Sequence, residues 1–557
     1  MKRRTFLGWT GSMAGLMVGA DLQALLAQAP QAGPTVDTSS GRIRGAIDNG
    51  VRIFKGIPYG AAPTGARRFL PAVAPAPWTG VRDTIEYGPR AFQPFRPMIP
   101  EVGDYLTGSG PMSEDCLRLN VWTPATGNGR RPVMIWFHGG GQRTGSGNSI
   151  FYDGRSLART HDVVVVTTTH RLNAFAHLYL AGVSGADSRF ADTANLGLRD
   201  LILALQWVRA NIDRFGGDPN NVTIFGQSGG GGKTAMLTAM PAARGLFHKA
   251  IIMSTLSDTA VTGLEPARAV EAAELLLGRL GVKASDAAQL QAMPAERIVD
   301  ALTGGGVAGG QAGQAPPAAD LSLRYVPVVD GKALPAHPFS PASEVSATIP
   351  ILTGSNECEG IPYGNPDDAY WKTEPTDDAS LRAHAKRLAR NASDADVDRL
   401  IALYRSHRPT DTHGDLAAVM SGDTSALREA SHTIAERKFE QGKAPVYLYH
   451  FNWRSPVRNG KLRTMHGMEL PFVFNHPDLI GFMTGNGPER AALAANVSAA
   501  WVAFARTGNP NHAGIPKWDP WTPARWSTMV FNREPRAVDD PWGEERREWR
   551  RLRGPSA

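Results

Sequence analysis

Cysteine is almost absent: Cys116 and Cys358 are the only two in 557 residues. That excludes a disulfide-stapled scaffold. No Cys/His spacing matches a zinc site and there is no His-Glu-x-x-His, so neither a metal nor any other cofactor is expected. No apolar run approaches the roughly 20 residues that cross a bilayer, so no integral membrane span is expected. Charge of one sign is scarce too. Charged residues make up 20% of the chain and the net charge is +7, spread too thinly to argue for nucleic acid. The one dense basic segment, residues 546–553, reads as a solvated terminal helix. There is no internal repeat. Hydrophobic residues at 42% are those of an ordinary globular chain with a sizeable core.

Glycine (60) and proline (41) are plentiful, which points to many loops. The N-terminus is organised differently from the rest. Lys2-Arg3-Arg4-Thr5-Phe6-Leu7 is a twin-arginine pattern, followed by a weakly apolar stretch from Gly8 to Ala20 and a cleavage-like Ala27-Gln28-Ala29. Residues 1–29 are therefore expected to be an export signal, and the protein to be exported, to a periplasm. Its removal would leave a net charge of +5. Residues 30–557 are expected to form one domain.

Within that domain, residues 30–40 read as a polar leader, and 41–45 with 51–59 as short antiparallel strands. Continuous apolar runs follow at Val133–Phe137, Val163–Val166, Ile251–Met253, Ile351–Leu352 and Val446–Tyr449. Strands buried on both faces read this way. Between them Leu198, Ile202, Leu205, Val208, Ile212 and Phe215 recur at helical spacing. Strand and helix in alternation predict an α/β fold with a large, mostly parallel central sheet flanked by helices. Residues 303–319 are Gly/Ala/Gln/Pro-rich and read as a mobile surface loop. Residues 376–440 read as helical insertions at 381–390, 394–404 and 424–439.

The chemistry centres on Val222 to Gly232. A short apolar strand runs into Gly226-Gln227-Ser228-Gly229-Gly230, and a helix can open from there. A serine on a strand-to-helix turn is a nucleophile elbow. A phosphate-cradling Gly-x-x-x-x-Gly-Lys-Thr loop competes for the same residues. It fails on spacing, because five residues separate Gly226 from Gly232 where four are required, and Gln227 stands at the obligatory glycine. His138-Gly139-Gly140-Gly141 after a strand offers backbone N–H groups to an oxyanion. Glu359 follows the strand at Ile351-Leu352, and His466 lies in a later loop. Ser228, Glu359, His466 is the chain order of α/β-hydrolase triads.

These residues carry a resemblance to the type B carboxylesterases, the α/β-hydrolase family that includes cholinesterases and bacterial esterases. The shared stretches are Phe54–Tyr59, Glu114–Leu117, His138–Gly141, Asn195–Asp200, Phe215–Pro219, the elbow, Pro327–Gly331, Glu359-Gly360, His466-Gly467 and Trp501–Pro510. The resemblance implies an α/β-hydrolase fold and hydrolysis of a small-molecule ester through an acyl-enzyme, without a cofactor. It implies Ser228 as nucleophile, His466 as general base and Glu359 as orienting acid. Gly140, Gly141 and Gly229 would be the oxyanion donors, and Ser254 a hydrogen-bond partner of the acid.

The chain departs from the family pattern in places. Gln227 and Gly229 replace the usual Glu and Ala of Gly-Glu-Ser-Ala-Gly. Gln142, with Arg143 next, stands where an aromatic residue usually follows the glycines, which predicts a polar pocket and a polar or anionic acyl group. Arg143 pairing with a surface carboxylate is the alternative. Ala176-His177 replaces a usual Gly-Phe. The upstream cysteine that the family often bonds at the Cys116 position is missing, so two free thiols are expected. An exported binding protein without activity, and an amidase, carbamate hydrolase or transacylase, remain open as alternatives. The ester itself and the oligomeric state are not readable from the sequence. Substrate choice is expected to rest on residues 92–112, 303–320 and 361–380.

Overall fold

A computed structural model describes residues 31–554, apart from 95–97, 100–101, 103–106, 109, 304–324, 362–368 and 391. The expected export signal and most of the glycine-rich segment at 303–319 lie outside the described residues.

Thirteen strands form one mixed sheet: β1 (Gln31–Thr38), β2 (Gly41–Asp48), β3 (Val51–Pro58), β4 (Val81–Asp83), β5 (Arg118–Thr123), β6 (Arg131–Phe137), β7 (Val164–Thr169), β8 (Gly217–Gln227), β9 (Lys249–Met253), β10 (Ile351–Asn356), β11 (Val446–Phe451), β12 (Ser527–Phe531) and β13 (Arg536–Asp539). Their spatial order is β1-β2-β3-β5-β7-β6-β8-β9-β10-β11-β12-β13, with β4 beside β2. From β7 to β12 every ladder is parallel, while the two flanks are antiparallel except for the short β2–β4 pair, which is parallel. The α/β expectation therefore holds, with the run of parallel strands concentrated in the centre.

Burial on both faces explains the unbroken apolar runs. In β6, Met134 and Trp136 join one core cluster, and Val133, Ile135 and Phe137 join the other. In β11, Tyr447, Tyr449 and Phe451 face the first cluster, and Val446 and Leu448 the second. Strands covered by helices on both sides need no polar face, so their sequence shows no alternation.

The polar leader expected at 30–40 is instead the edge strand β1, paired antiparallel to β2. Only Val36 of β1 is buried. Backbone pairing holds it there, and that leaves little hydrophobic signature in the side chains.

Helix α1 (Leu196–Asn211) buries Leu198, Ile202, Leu205 and Val208 as their spacing predicts. Helix α2 (Gly229–Leu237) follows β8 directly. Then come α3 (Asp378–Ala389), α4 (Asp394–His407), α5 (His413–Asp423), α6 (Ala426–Gln441), α7 (Glu489–Thr507) and α8 (Gly543–Arg553). The insertion reading of 376–440 needs two corrections. Helix α5 has no counterpart in the sequence reading, because it is buried nearly all round and carries no polar stripe. Helix α6 packs on β10 and β11, the two strands it joins. It is the crossover of a parallel strand pair, not an insertion.

Candidate active site

The elbow is built by close backbone approach. Ser228 sits between β8 and α2 with φ 59° and ψ −128°. A non-glycine residue at positive φ is strained, and the surrounding packing has to hold it. A Cβ at Gly226 would collide with the Gly230 carbonyl, and one at Gly230 with the Phe137 carbonyl. Strand and helix can meet this tightly only where side chains are missing. The N–H of Ser228 donates to Met253 O at 2.9 Å, anchoring the turn to β9.

The glycine run after β6 threads beside this turn. Gly140 and Gly141 adopt φ of 91° and 67°. A Cβ on Gly139 would lie 3.4 Å from the Ser228 Cβ, and one on Gly229 only 2.5 Å from the Gly141 Cα. Among the described residues, the N–H groups of Gly140 and Gly141 have no acceptor. The structure thus gathers the expected donor segment around the serine, at the N-terminus of α2, whose dipole favours negative charge.

Glu359 and His466 come from the ends of β10 and β11. Their loops are stitched together: Cys358 N–H donates to Thr464 O at 3.1 Å, and the Asn356 amide donates to Met465 O at 2.9 Å. His466 Nδ1 lies 2.5 Å from Glu359 Oε2. The Asn356 N–H donates to the other oxygen of Glu359 at 2.7 Å. Burial alone would push the Glu359 carboxyl up, but the His466 charge and hydrogen bonds from His466, Ser254 and Asn356 hold it below the usual range. Burial disfavours the His466 imidazolium, yet the Glu359 charge and hydrogen bond raise its pKa above the ordinary histidine value.

Three groups at the site were not foreseen. Glu469 is fully buried, accepts from the Asn356 amide at 2.5 Å and from the Ser254 hydroxyl at 3.3 Å, and faces the same pair. Burial and then the Glu359 charge raise its carboxyl to about 7. Ser254, expected beside the acid, thus bridges toward two carboxyls. A carboxylate three residues after His466 was the one signal in the sequence. Arg428 of α6, also buried, donates to Asn356 O at 2.7 Å and Glu357 O at 2.9 Å, so it supports the turn that presents Glu359. The Gln227 amide nitrogen lies 3.1 Å from His466 Nε2. It also lies 3.3 Å from Nδ1, so the residue before Ser228 sits against the His466 ring.

Gln142 is buried and its Nε2 has no partner among the described residues. Arg143 is partly exposed, its Nε 3.9 Å from where a Gly141 Cβ would stand. His177 is buried and held neutral, its pKa pushed down to about 3 by burial and the nearby cations Lys233 and Arg171. Both cysteines are free and buried, and burial pushes the Cys358 thiol up to about 12. Among the described residues, no cluster of His, Cys, Asp and Glu could hold a metal ion. None of the described helices is long and apolar enough to cross a membrane.

A family model described as "Carboxylesterase family" matches residues 32–549. Para-nitrobenzyl esterase of Bacillus subtilis is 35% identical over 518 residues, covering 92% of this chain and 97% of its own. Phenmedipham hydrolase of Pseudarthrobacter oxydans is 34% identical, over 87% of this chain and 92% of its own. Among solved structures, a carboxylesterase of Geobacillus stearothermophilus superposes with a TM-score of 0.73 at 35% identity, covering 92% of this chain and 99% of that one. An esterase of Clostridium hathewayi, titled as able to hydrolyse aliphatic aromatic polyesters, superposes with a TM-score of 0.78 at 30% identity, over 94% and 100%.

Proposed function

The chain belongs to the carboxylesterase family and is an ester-hydrolysing enzyme, and from that premise we propose that it works by two-step acyl transfer through Ser228, His466 and Glu359. The observation that carries this is the 2.5 Å contact of Glu359 with His466 Nδ1, made beside the turn that presents Ser228. His466 Nε2 takes the Ser228 proton as Oγ attacks the ester carbonyl. Glu359 fixes the tautomer and stabilises the imidazolium. The N–H groups of Gly140, Gly141 and Gly229 receive the oxyanion. The imidazolium then protonates the departing alcohol. Water repeats the sequence on the acyl-enzyme and releases the acid.

A polar acyl group is the preferred substrate, on the ground that Gln142 is buried beside the donors with an unpartnered amide nitrogen. Such a group is costly unless something hydrogen-bonds it. Export through the twin-arginine segment is part of the same proposal and rests on that motif alone.

The test is hydrolysis of p-nitrophenyl esters by the wild type and Ser228→Ala, with apolar acyl chains of increasing length beside a hemisuccinyl ester, and with phenmedipham added. A p-nitrophenolate burst in the wild type, absent in Ser228→Ala, is expected. A Ser228→Ala variant as active as the wild type would overturn the triad. A hemisuccinyl ester cleaved no better than an apolar ester of equal length would overturn the acyl preference.

A further inference from the structure

The segment that resembles a phosphate loop has a residue the triad does not use. Lys233 lies one turn into α2, five residues after Ser228, and is fully buried. Among the described residues its Nζ makes one hydrogen bond, donating to the carbonyl of His138 at 2.9 Å. His138 opens the glycine run, and Gly139, Gly140 and Gly141 follow it directly. Three buried imidazoles accompany the lysine: His138, His170 and His177. The rings of His138 and His170 are 4.8 Å apart. Each of the three leaves one ring nitrogen without a partner among the described residues. All three are held neutral, chiefly by burial and next by the charge of Lys233. Burial in turn lowers Lys233 to about 7.

Placing an amine here with a single carbonyl partner is a poor way to stabilise a fold. Its geometry has a different use. The His138 carbonyl is fixed from one side by Lys233, and its ring from another by contact between Nδ1 and Gly139 O at 2.8 Å. Rotation of the His138–Gly139 peptide is what would swing the following N–H groups away from Ser228. We propose that Lys233 is a positioning residue of the oxyanion hole, holding the His138 carbonyl so that the N–H groups of Gly140 and Gly141 face the reacting ester. This rests on the acyl-transfer reading above. The lysine reaches back from the helix that carries the nucleophile, so elbow and donor loop are locked to each other by one side chain.

The test is Lys233→Met, of similar length and without a donor. Its kcat for p-nitrophenyl acetate should fall about 10- to 100-fold, below the full loss of a donor because the N–H groups remain. KM should stay within about 2-fold, since ground-state binding does not use the hole. Affinity for a trifluoromethyl ketone, which forms a hemiketal alkoxide on Ser228, should fall in parallel with kcat. A lysine with a merely structural role would lower the melting temperature and leave both kcat and ketone affinity in place, and that result would overturn the proposal. If the methionine variant does not fold, Lys233→Gln, whose shorter head cannot reach the carbonyl, is read in the same assays against the same outcomes. Wild-type hydrolysis and organophosphate labelling of Ser228 separate the two readings. Their absence sinks acyl transfer itself, whereas their presence beside a fully active Lys233 variant sinks only this inference.

Discussion

Gly229→Ala restores the residue that the family pattern usually has after the nucleophile, and here it should be harmful. A Cβ at that position would stand 2.5 Å from both the Cα and the carbonyl carbon of Gly141, nearer still to the carbonyl oxygen, and real Cβ atoms do not approach within 3.0 Å. The neighbour is backbone, so no side chain can turn aside. Gly141 would have to retreat by about 1 Å or more to restore contact distance. Gly141 is a proposed oxyanion donor, and a misplacement of about 1 Å at a reacting centre costs on the order of 10²-fold. Loss of one such donor costs about 10²–10³-fold, or about 2.7–4 kcal/mol of transition-state stabilisation. The expected result is a kcat for p-nitrophenyl acetate about 10²-fold below wild type, with KM within a few-fold and a normal circular dichroism spectrum. A kcat within about 3-fold of wild type in the folded variant would refute the reasoning. The Gly140–Gly141 segment would then be compliant enough to accept the methyl group, and its glycine packing would not set the rate.

Glu469→Gln keeps the shape and, with its one amide oxygen, the bond from Asn356, turns its NH2 toward the Ser254 oxygen, and removes a charge that raises His466. The imidazole should then titrate lower, so the acid limb of the kcat/KM–pH profile moves to lower pH, and an unmoved or upward-shifted limb contradicts it. The buried Arg171–Asp200 pair, with contacts of 2.7 and 2.9 Å, joins the end of β7 to α1. Asp200→Ala leaves Arg171 charged and buried, and should cost about 3–5 kcal/mol in urea unfolding; a loss under about 1 kcal/mol would mean that solvent reaches the guanidinium.

What the sequence made legible was whatever local geometry writes locally. The elbow needs Gly226 and Gly230 around Ser228, and the donor loop needs adjacent glycines, so both leave short motifs. Buried parallel strands leave apolar runs, so the central sheet was readable. Glu359 and His466 could be named because chain order and family pattern agreed on them. The rest depends on partners distant in the chain. Glu469 reads as an ordinary loop carboxylate until Ser254 and Asn356 are seen around it. Arg428 looks like a surface residue of an amphipathic helix until its guanidinium is found under the acid turn. Strand β1 is held by backbone bonds that any sequence could make, and α5 is hidden because a helix buried all round has no stripe.

The parallel centre of the sheet also decides when this enzyme can begin to work. Parallel strands cannot be joined by tight hairpins, so each step from β8 to β11 waits for a long crossover to close. Glu359 meets His466 across 107 residues, and Gln227 meets His466 across 239. Such distant pairings form slowly and late. Helices and a collapsed interior can exist well before those crossovers find their register. A chain whose central strands had not found their register would lack the Glu359–His466 contact, so turnover reports that register.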